Sequence, residues 1–368
     1  MSVFESSKGK IIHLEAIRIL AILCVIYIHS GYRGHEAYTC TDSRVTFIVS
    51  LILACITNIG VDLFWMVSGA VLLRKKEDAA TVYTKRIPRI IIVLLIFSVL
   101  RYFYDYYMMT YGSMVYWSEA YGINAGAGGA DIGIGDFITR FISGRIFLPY
   151  WFLYFYIGIL LVLPFISKMT RNMNLTDWKY LAAVELVLVF IGIMKVLTGV
   201  ELAVPIFIPD SVCAFVFGYM AESVIPGDWI SKGRNIVGIF GASVIMIAFE
   251  VAITLTLGDP SGDSGIVYTS ILGQIIAFNV LLIARGISLK INRSPKRIAS
   301  IICYVGGCTF GLYLIEDYIR QMLTFIDDKL SPVMTVMPAC IVWVICSFVV
   351  GTIVVGIIKK LPGIGKLI

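Results

Sequence analysis

Ten mostly apolar stretches of about 20 residues or more run along this chain. They lie at roughly 11–31, 46–73, 88–109, 149–167, 178–198, 203–224, 236–257, 266–289, 299–326 and 333–358. At about 1.5 Å per residue, a helix of about 20 apolar residues crosses the hydrocarbon layer of a bilayer. Only helices and closed barrels can cross, because each backbone N–H and C=O needs a partner where there is no water. These runs are too long for barrel strands. The expected fold is therefore all-α: a polytopic integral membrane protein of about ten transmembrane helices, in one membrane domain over 1–368. Composition agrees, with 59% hydrophobic and 15% charged residues. So little polar surface could not cover a water-soluble core. A soluble enzyme, a disordered regulator and a disulfide scaffold are excluded.

The basic residues set an orientation. With the N-terminus cytoplasmic, 21 of the 30 Lys and Arg residues fall on inside segments and seven on outside segments. Arg18 and Lys195 lie within spans. Both termini are then cytoplasmic, and topology accounts for most of the net charge of +6. No basic, aromatic-interleaved soluble segment offers a nucleic-acid platform. Seven of the eight cysteines fall in apolar stretches, Cys40 sits in a polar loop, and no CxxC occurs, which argues against a disulfide framework or a zinc site. The first stretch follows Lys8 and Lys10, lacks a small-residue cleavage site and carries Arg18, so it reads as an uncleaved span.

One long loop, about 110–148, falls outside. Gly122, Gly126, Gly128, Gly129, Gly133 and Gly135 make its middle pliable. Asp136 to Phe147 alternates at helical spacing, as an interfacial amphipathic helix would. Tyr111, Tyr116, Trp117 and Tyr121 suit either stacking on a sugar or anchoring at the interface.

Charge inside the spans is costly and therefore informative. In the first span, Arg18 and His29 are 11 residues apart. They return to within roughly 20° of one face, about 16 Å apart along the axis. Glu15, three residues before Arg18, can pair with it. One reading is a polar stripe lining a protein cavity. The other is a structural Glu15–Arg18 pair near the interface, with His29 capping the outer end. Asp62 lies near mid-span in Asn58–Ile59–Gly60–Val61–Asp62–Leu63–Phe64…Ser68–Gly69. It suits either a site or an interhelical hydrogen bond. Arg86 and Arg89 open the third span, as a phosphate site or as topology alone. Trp151–Phe152–Leu153–Tyr154 begins the fourth span, where an aromatic belt is the default. Glu316 lies about 25 Å along the ninth span, at a depth comparable with His29, where a carboxylate could orient the imidazole. Glu185, Lys195, Asp210 and Glu250 are further intramembrane charges without an assigned partner.

In this order, the pieces resemble the membrane-bound acyltransferase-3 family, which includes O-acetyltransferases of bacterial surface polysaccharides. The matching elements are Arg18 with His29, Gly60–Val61–Asp62–Leu63–Phe64…Ser68–Gly69, and Arg86–x–x–Arg89. Thr309–Phe310–Gly311–Leu312–Tyr313–Leu314–Ile315 resembles the late-helix signature. Trp151–Phe152–Leu153–Tyr154 leading to Pro164 is similar to the subgroup that contains the enterobacterial common antigen O-acetyltransferase.

The resemblance implies a multi-pass protein of the bacterial cytoplasmic membrane. Such a protein takes an acyl, here acetyl, group from cytoplasmic acyl-CoA to a hydroxyl of an extracytoplasmic glycan or lipid-linked acceptor. No metal is implied. It marks Arg18 and His29 as catalytic, and maps Arg86 and Arg89, with Arg18, onto the CoA side. Trp151, Tyr154 and Tyr313 become candidate acceptor contacts. Two positions depart from the pattern: Glu316 and Tyr150 stand where histidines are usual. Glu316 or Asp62 is then expected to stabilise the imidazolium formed when His29 acts as general base. A competing class is a transporter or flippase, or an acyltransferase-like uptake domain.

Overall fold

The computed structural model describes residues 11–75, 77–111, 133–200, 209–258, 268–291 and 296–368. Among these residues every regular element is helical. Seven helical segments are long and apolar enough to cross a membrane, and a bent pair at Lys296–Gly306 and Thr309–Met322 makes up to eight. The chain clusters into two compact units, Met1–Lys75 with Thr170–Pro362, and Lys76–Met169 with Gly363–Ile368.

The first unit is built around helix α1 (Ile12–Ile28). Leu14, Ile17, Ala21, Ile22, Val25 and Ile26 are buried on it. The loop after α1 folds back on its end. Ser30 Oγ donates to the Tyr27 carbonyl at 2.6 Å and accepts the His35 N–H at 3.0 Å. Tyr38 then buries against Leu51 and Ala54 of α2 (Arg44–Thr57).

The second apolar stretch is two helices, α2 and α3 (Gly60–Leu72), which break at Asn58 and Ile59. Gly60 lets α3 lie on α1, since a Cβ there would stand 2.8 Å from Cys24 Cβ. The α3–α8 crossing is tighter. A Cβ on Gly69 would overlap the Phe215 carbonyl of α8 (Asp210–Ser223), and one on Gly218 would overlap the Met66 carbonyl. Small residues are what let helix backbones approach so closely in a bilayer.

In the second unit, a π-turn at Val82–Arg86 leads into α4 (Ile87–Tyr111). The external-loop helix is α5, found at Ile134–Ile142 rather than reaching Phe147. Asp136 accepts from the Tyr102 hydroxyl at 2.7 Å and from Arg140 Nε at 2.9 Å, while Ile134, Ile138 and Ile142 are exposed. The Tyr102 hydroxyl and the Arg140 guanidinium hold the Asp136 carboxyl below its ordinary value. Most of α6 (Trp151–Asn172) completes this unit. The ring of Tyr111, and Tyr116, Trp117, Tyr121 and the glycines from Gly122 to Gly129, lie outside the described residues.

Back in the first unit, α7 (Leu175–Thr198) starts with an Asn174–Asp177 capping box and stacks Trp178 on Tyr219. The helices α9 (Gly233–Leu257) and α10 (Gly273–Ile291) are tied through their connection. There Glu250 Oε1 accepts the Leu272 N–H at 2.7 Å and Thr254 Oγ1 accepts the Tyr268 N–H at 3.1 Å. Glu250, left without a partner by sequence reasoning, is thus a cap for a loop.

The ninth stretch is not one straight helix. It splits into α11 (Lys296–Gly306) and α12 (Thr309–Met322), bent by 60°. Gly306 sits where a Cβ would meet Glu15 Oε2 at 2.5 Å, and Lys359 Nζ donates to the Gly307 carbonyl. Irregular backbone at this depth survives only where protein satisfies it. A short α13 (Thr324–Leu330) and a long α14 (Val336–Ile358) follow, and Trp343 Nε1 of α14 donates to the Arg320 carbonyl at 3.1 Å.

Candidate active site

The polar residues of α1 are engaged at both of its ends. Near its start, Arg18 Nη1 donates to Glu15 Oε1 at 2.7 Å; the carboxylate is buried and the guanidinium partly exposed. On another side of the same helix end, His13 Nε2 meets Glu222 Oε1 at 2.7 Å. Glu222 also lies 3.8 Å from Arg74 and 4.0 Å from Arg285.

At the other end, His29 is the C-cap residue of α1, about 16 Å along the axis from Arg18. Its Nδ1 is hydrogen-bonded to Glu316 Oε1 of α12. An N–H must donate to a carboxylate, so Nδ1 carries the proton and the lone pair falls on Nε2. Glu316 is 2% exposed, and its other oxygen lies 3.6 Å from Arg320 Nε. Arg320 Nη2 donates to Asp317 Oδ1 at 2.5 Å, and the guanidinium lies 5.6 Å from the centre of the Trp343 ring. Further out, Arg33 pairs with Asp327 at 2.7 Å and Asp328 at 2.6 Å. A polarised imidazole with one free basic nitrogen, backed by a buried carboxylate, can take a proton from a hydroxyl.

The acyltransferase domain of the acyltransferase-3 family matches residues 11–358. The chain belongs to this family. Among curated proteins and among solved structures nothing matches it significantly. It is accordingly a membrane acyltransferase, and the match runs from the first residues of α1 to the last of α14.

The other expected site residues of this acyltransferase have varied surroundings. Asp62 lies in the first turn of α3, within electrostatic range of Asp210 and Glu185 and beside Gly273. The two carboxylates expected to serve His29 therefore have different neighbours, and Glu316 is the one bonded to it. Arg86 makes a two-pronged pair with Glu77, and Arg89 donates twice to the Leu367 carbonyl, at 3.0 and 2.8 Å. Trp151 is exposed and packs edge-on to Phe152 and Phe155. The Tyr154 hydroxyl donates to the Phe141 carbonyl at 2.5 Å, which fastens α5. Tyr313 stands on α12, one turn before Glu316, and is half-buried.

Sequence reasoning missed a second imidazole beside the first. His35 is buried, and its Nε2 faces Asn58 Oδ1 at 3.0 Å. Asn58 Nδ2 donates to Thr269 Oγ1 at 2.6 Å and to the Thr269 carbonyl at 3.3 Å. A carbonyl only accepts, so the amide is fixed with its oxygen toward His35, and Nε2 of His35 carries the proton. Burial, first, and the nearby His29 push His35 below its ordinary value, so it stays neutral. The available signal was Asn58 inside an apolar run; its partner Thr269 is 211 residues away and follows no periodicity.

Proposed function

We propose that this acyltransferase moves an acetyl group from cytoplasmic acetyl-CoA to a hydroxyl of a cell-surface glycan or lipid-linked acceptor, with His29 as general base. The observation that carries the reading is the His29 Nδ1–Glu316 Oε1 hydrogen bond at the end of a helix that also presents Arg18. The acceptor hydroxyl loses its proton to His29 Nε2 as its oxygen attacks the thioester carbonyl. The C–S bond breaks, the ester forms, and the CoA thiolate takes the proton back from the imidazolium. Glu316 holds the ring and balances the imidazolium charge.

Arg18 serves the donor side, toward the phosphates or the developing oxyanion. Arg86 and Arg89 serve the CoA phosphates only by exchanging the partners they hold, Glu77 and the Leu367 carbonyl. Trp151, Tyr154 and Tyr313 contribute apolar and hydroxyl surface to the acceptor. Asp62 acts on this reading through the field it shares with Asp210 and Glu185. The membrane is that of a bacterial cell, with both termini cytoplasmic.

The test is His29→Ala in a deletion background. Ester-linked acetate released from the envelope by mild alkali should fall to the deletion level, with normal protein abundance. Undiminished ester would sink the catalytic role. Acetyl-CoA binding by purified protein separates this reading from a transporter, which has no need of the thioester.

A further inference from the structure

The fold holds a second imidazole near the first, and holds it by one nitrogen only. Ser30 Oγ accepts the His35 N–H at 3.0 Å, and the Glu36 N–H is bonded to the Gly31 carbonyl at 2.9 Å. This tight return sets His35 at the end of α1 that carries His29, within electrostatic range of it. Asn58, itself held by Thr269, fixes the ring with its proton on Nε2. His29 and His35 thus share one device with opposite results. Each has one nitrogen fixed as a donor, which leaves the other as a bare acceptor. A carboxylate fixes His29, and its charge favours a proton arriving on the free nitrogen. A neutral amide oxygen fixes His35, and burial, first, with His29 nearby, keeps that ring uncharged. His35 Nδ1 therefore accepts a hydrogen bond without acting as a base.

That acceptor has no partner among the described residues, although His35 is only 8% exposed. The Tyr27 hydroxyl stands likewise: the residue is 5% exposed and its oxygen is unpartnered among the described residues. The two rings meet in a T-shaped contact, with centroids 6.2 Å apart. A buried polar atom without a hydrogen bond costs stability, so two of them in one ring pair mark a place for a bonding group. Nδ1 needs a donor, and a phenol both gives and takes. An anion has no hydrogen to offer Nδ1, whereas an O–H group suits both. We propose that His35 Nδ1 and the Tyr27 hydroxyl form a subsite near His29 for one uncharged O–H group, and that transfer depends on its being filled. The group is a second hydroxyl of a polyhydroxy acceptor, held while His29 serves the first, or a water that keeps its place. This rests on the reading of His29 as the general base.

Two replacements divide the roles of the His35 ring. His35→Gln puts an amide where Nε2 was, so it keeps a donor for Asn58 and lacks the acceptor at Nδ1. His35→Asn puts its amide where Nδ1 was, so it keeps an acceptor there and loses the contact with Asn58. Tyr27→Phe removes the phenol oxygen and leaves the Asn58 contact alone.

The experiment measures the initial rate at which alkali-labile acetate enters the envelope, at equal protein levels. Acetyl-CoA binding and melting of the purified full chain are the further readouts. His35→Gln and Tyr27→Phe should each slow transfer about tenfold, the worth of one hydrogen bond, with acetyl-CoA binding within about twofold of wild type. His35→Asn should transfer faster than His35→Gln although it melts earlier. A purely structural His35 predicts the reverse order, and that order overturns the proposal. Transfer within about twofold of wild type in both Tyr27→Phe and His35→Gln overturns it too. If His35→Asn does not accumulate, Tyr27→Phe decides: a tenfold loss supports the subsite and full transfer overturns it. Melting without acceptor names the occupant. A melting temperature lower in Tyr27→Phe than in wild type assigns a resident water, and an equal or higher one assigns the hydroxyl to the acceptor. Undiminished ester in His29→Ala would instead mark the catalytic reading as the failure, whereas an inactive His29→Ala beside full transfer in the other two variants fails the subsite alone.

Discussion

Nδ1 of His29 and Oε1 of Glu316 are bonded across 287 residues of sequence, joining the end of α1 to the middle of α12. The contact fixes which ring nitrogen of His29 holds the proton.

Glu316→Gln keeps the size and a hydrogen bond but removes the charge that favours the imidazolium. Transfer should fall about a hundredfold or more, the range expected of a general base left without its partner. Acetyl-CoA binding should not change. Near-normal ester content in this variant would show that Glu316 does not support His29.

Lys359→Met removes the donor to the Gly307 carbonyl at the α11–α12 break. A partly buried backbone acceptor that loses its partner costs about 1 kcal/mol. The melting temperature of the purified protein should drop measurably, and Lys359→Arg should recover part of it. An unchanged melt would mean that the break needs no such brace.

At the α3–α8 crossing, Gly69→Ala and Gly218→Ala each drive a methyl group into a neighbouring carbonyl. Overpacking of this kind costs about 1–3 kcal/mol. Both variants should melt earlier or accumulate poorly. Gly192→Ala on α7 has nothing within 4 Å of the added carbon and should be neutral or slightly stabilising. Equal behaviour of the three would refute the close approach.

His35 links stability to acidity. In the unfolded chain it protonates near its ordinary value of 6.5, whereas burial keeps it neutral to lower pH in the fold. The unfolded state then binds more protons between those two values, so stability is complete above about 6.5 and declines as the pH falls below it. Melting temperatures at pH 7.5 and pH 5.5, as chosen conditions of about those values, should differ more in the wild type than in His35→Gln. An identical drop in both would exclude this imidazole as its source.

Apolar run length made most of the helices legible in advance. The stretch at 178–198 is Leu175–Thr198 and the stretch at 236–257 is Gly233–Leu257. Hydropathy cannot register where a run bends, because Gly306 and Gly307 count as mildly apolar while a steric contact with Glu15 and a lysine 52 residues away decide the break. The Glu15–Arg18 pair was readable because it is local, at i and i+3. Glu316 was found by its depth and by its place in the late-helix pattern, and an argument of that kind carries no azimuth. It could not separate Glu316 from Asp62, whose neighbours are Asp210 and Glu185. His35, Asn58 and Thr269 were invisible because each is unremarkable by itself and only their convergence has meaning.

The last helix touches both halves of the broken span, through Lys359 to Gly307 and through Trp343 to Arg320. During synthesis, His29 and Glu316 are therefore both in the chain before either brace exists. A nascent chain that has just made α12 carries the acid–base pair without the splint that holds it. On the proposed reading of His29, the site is braced only once α14 has packed against α12.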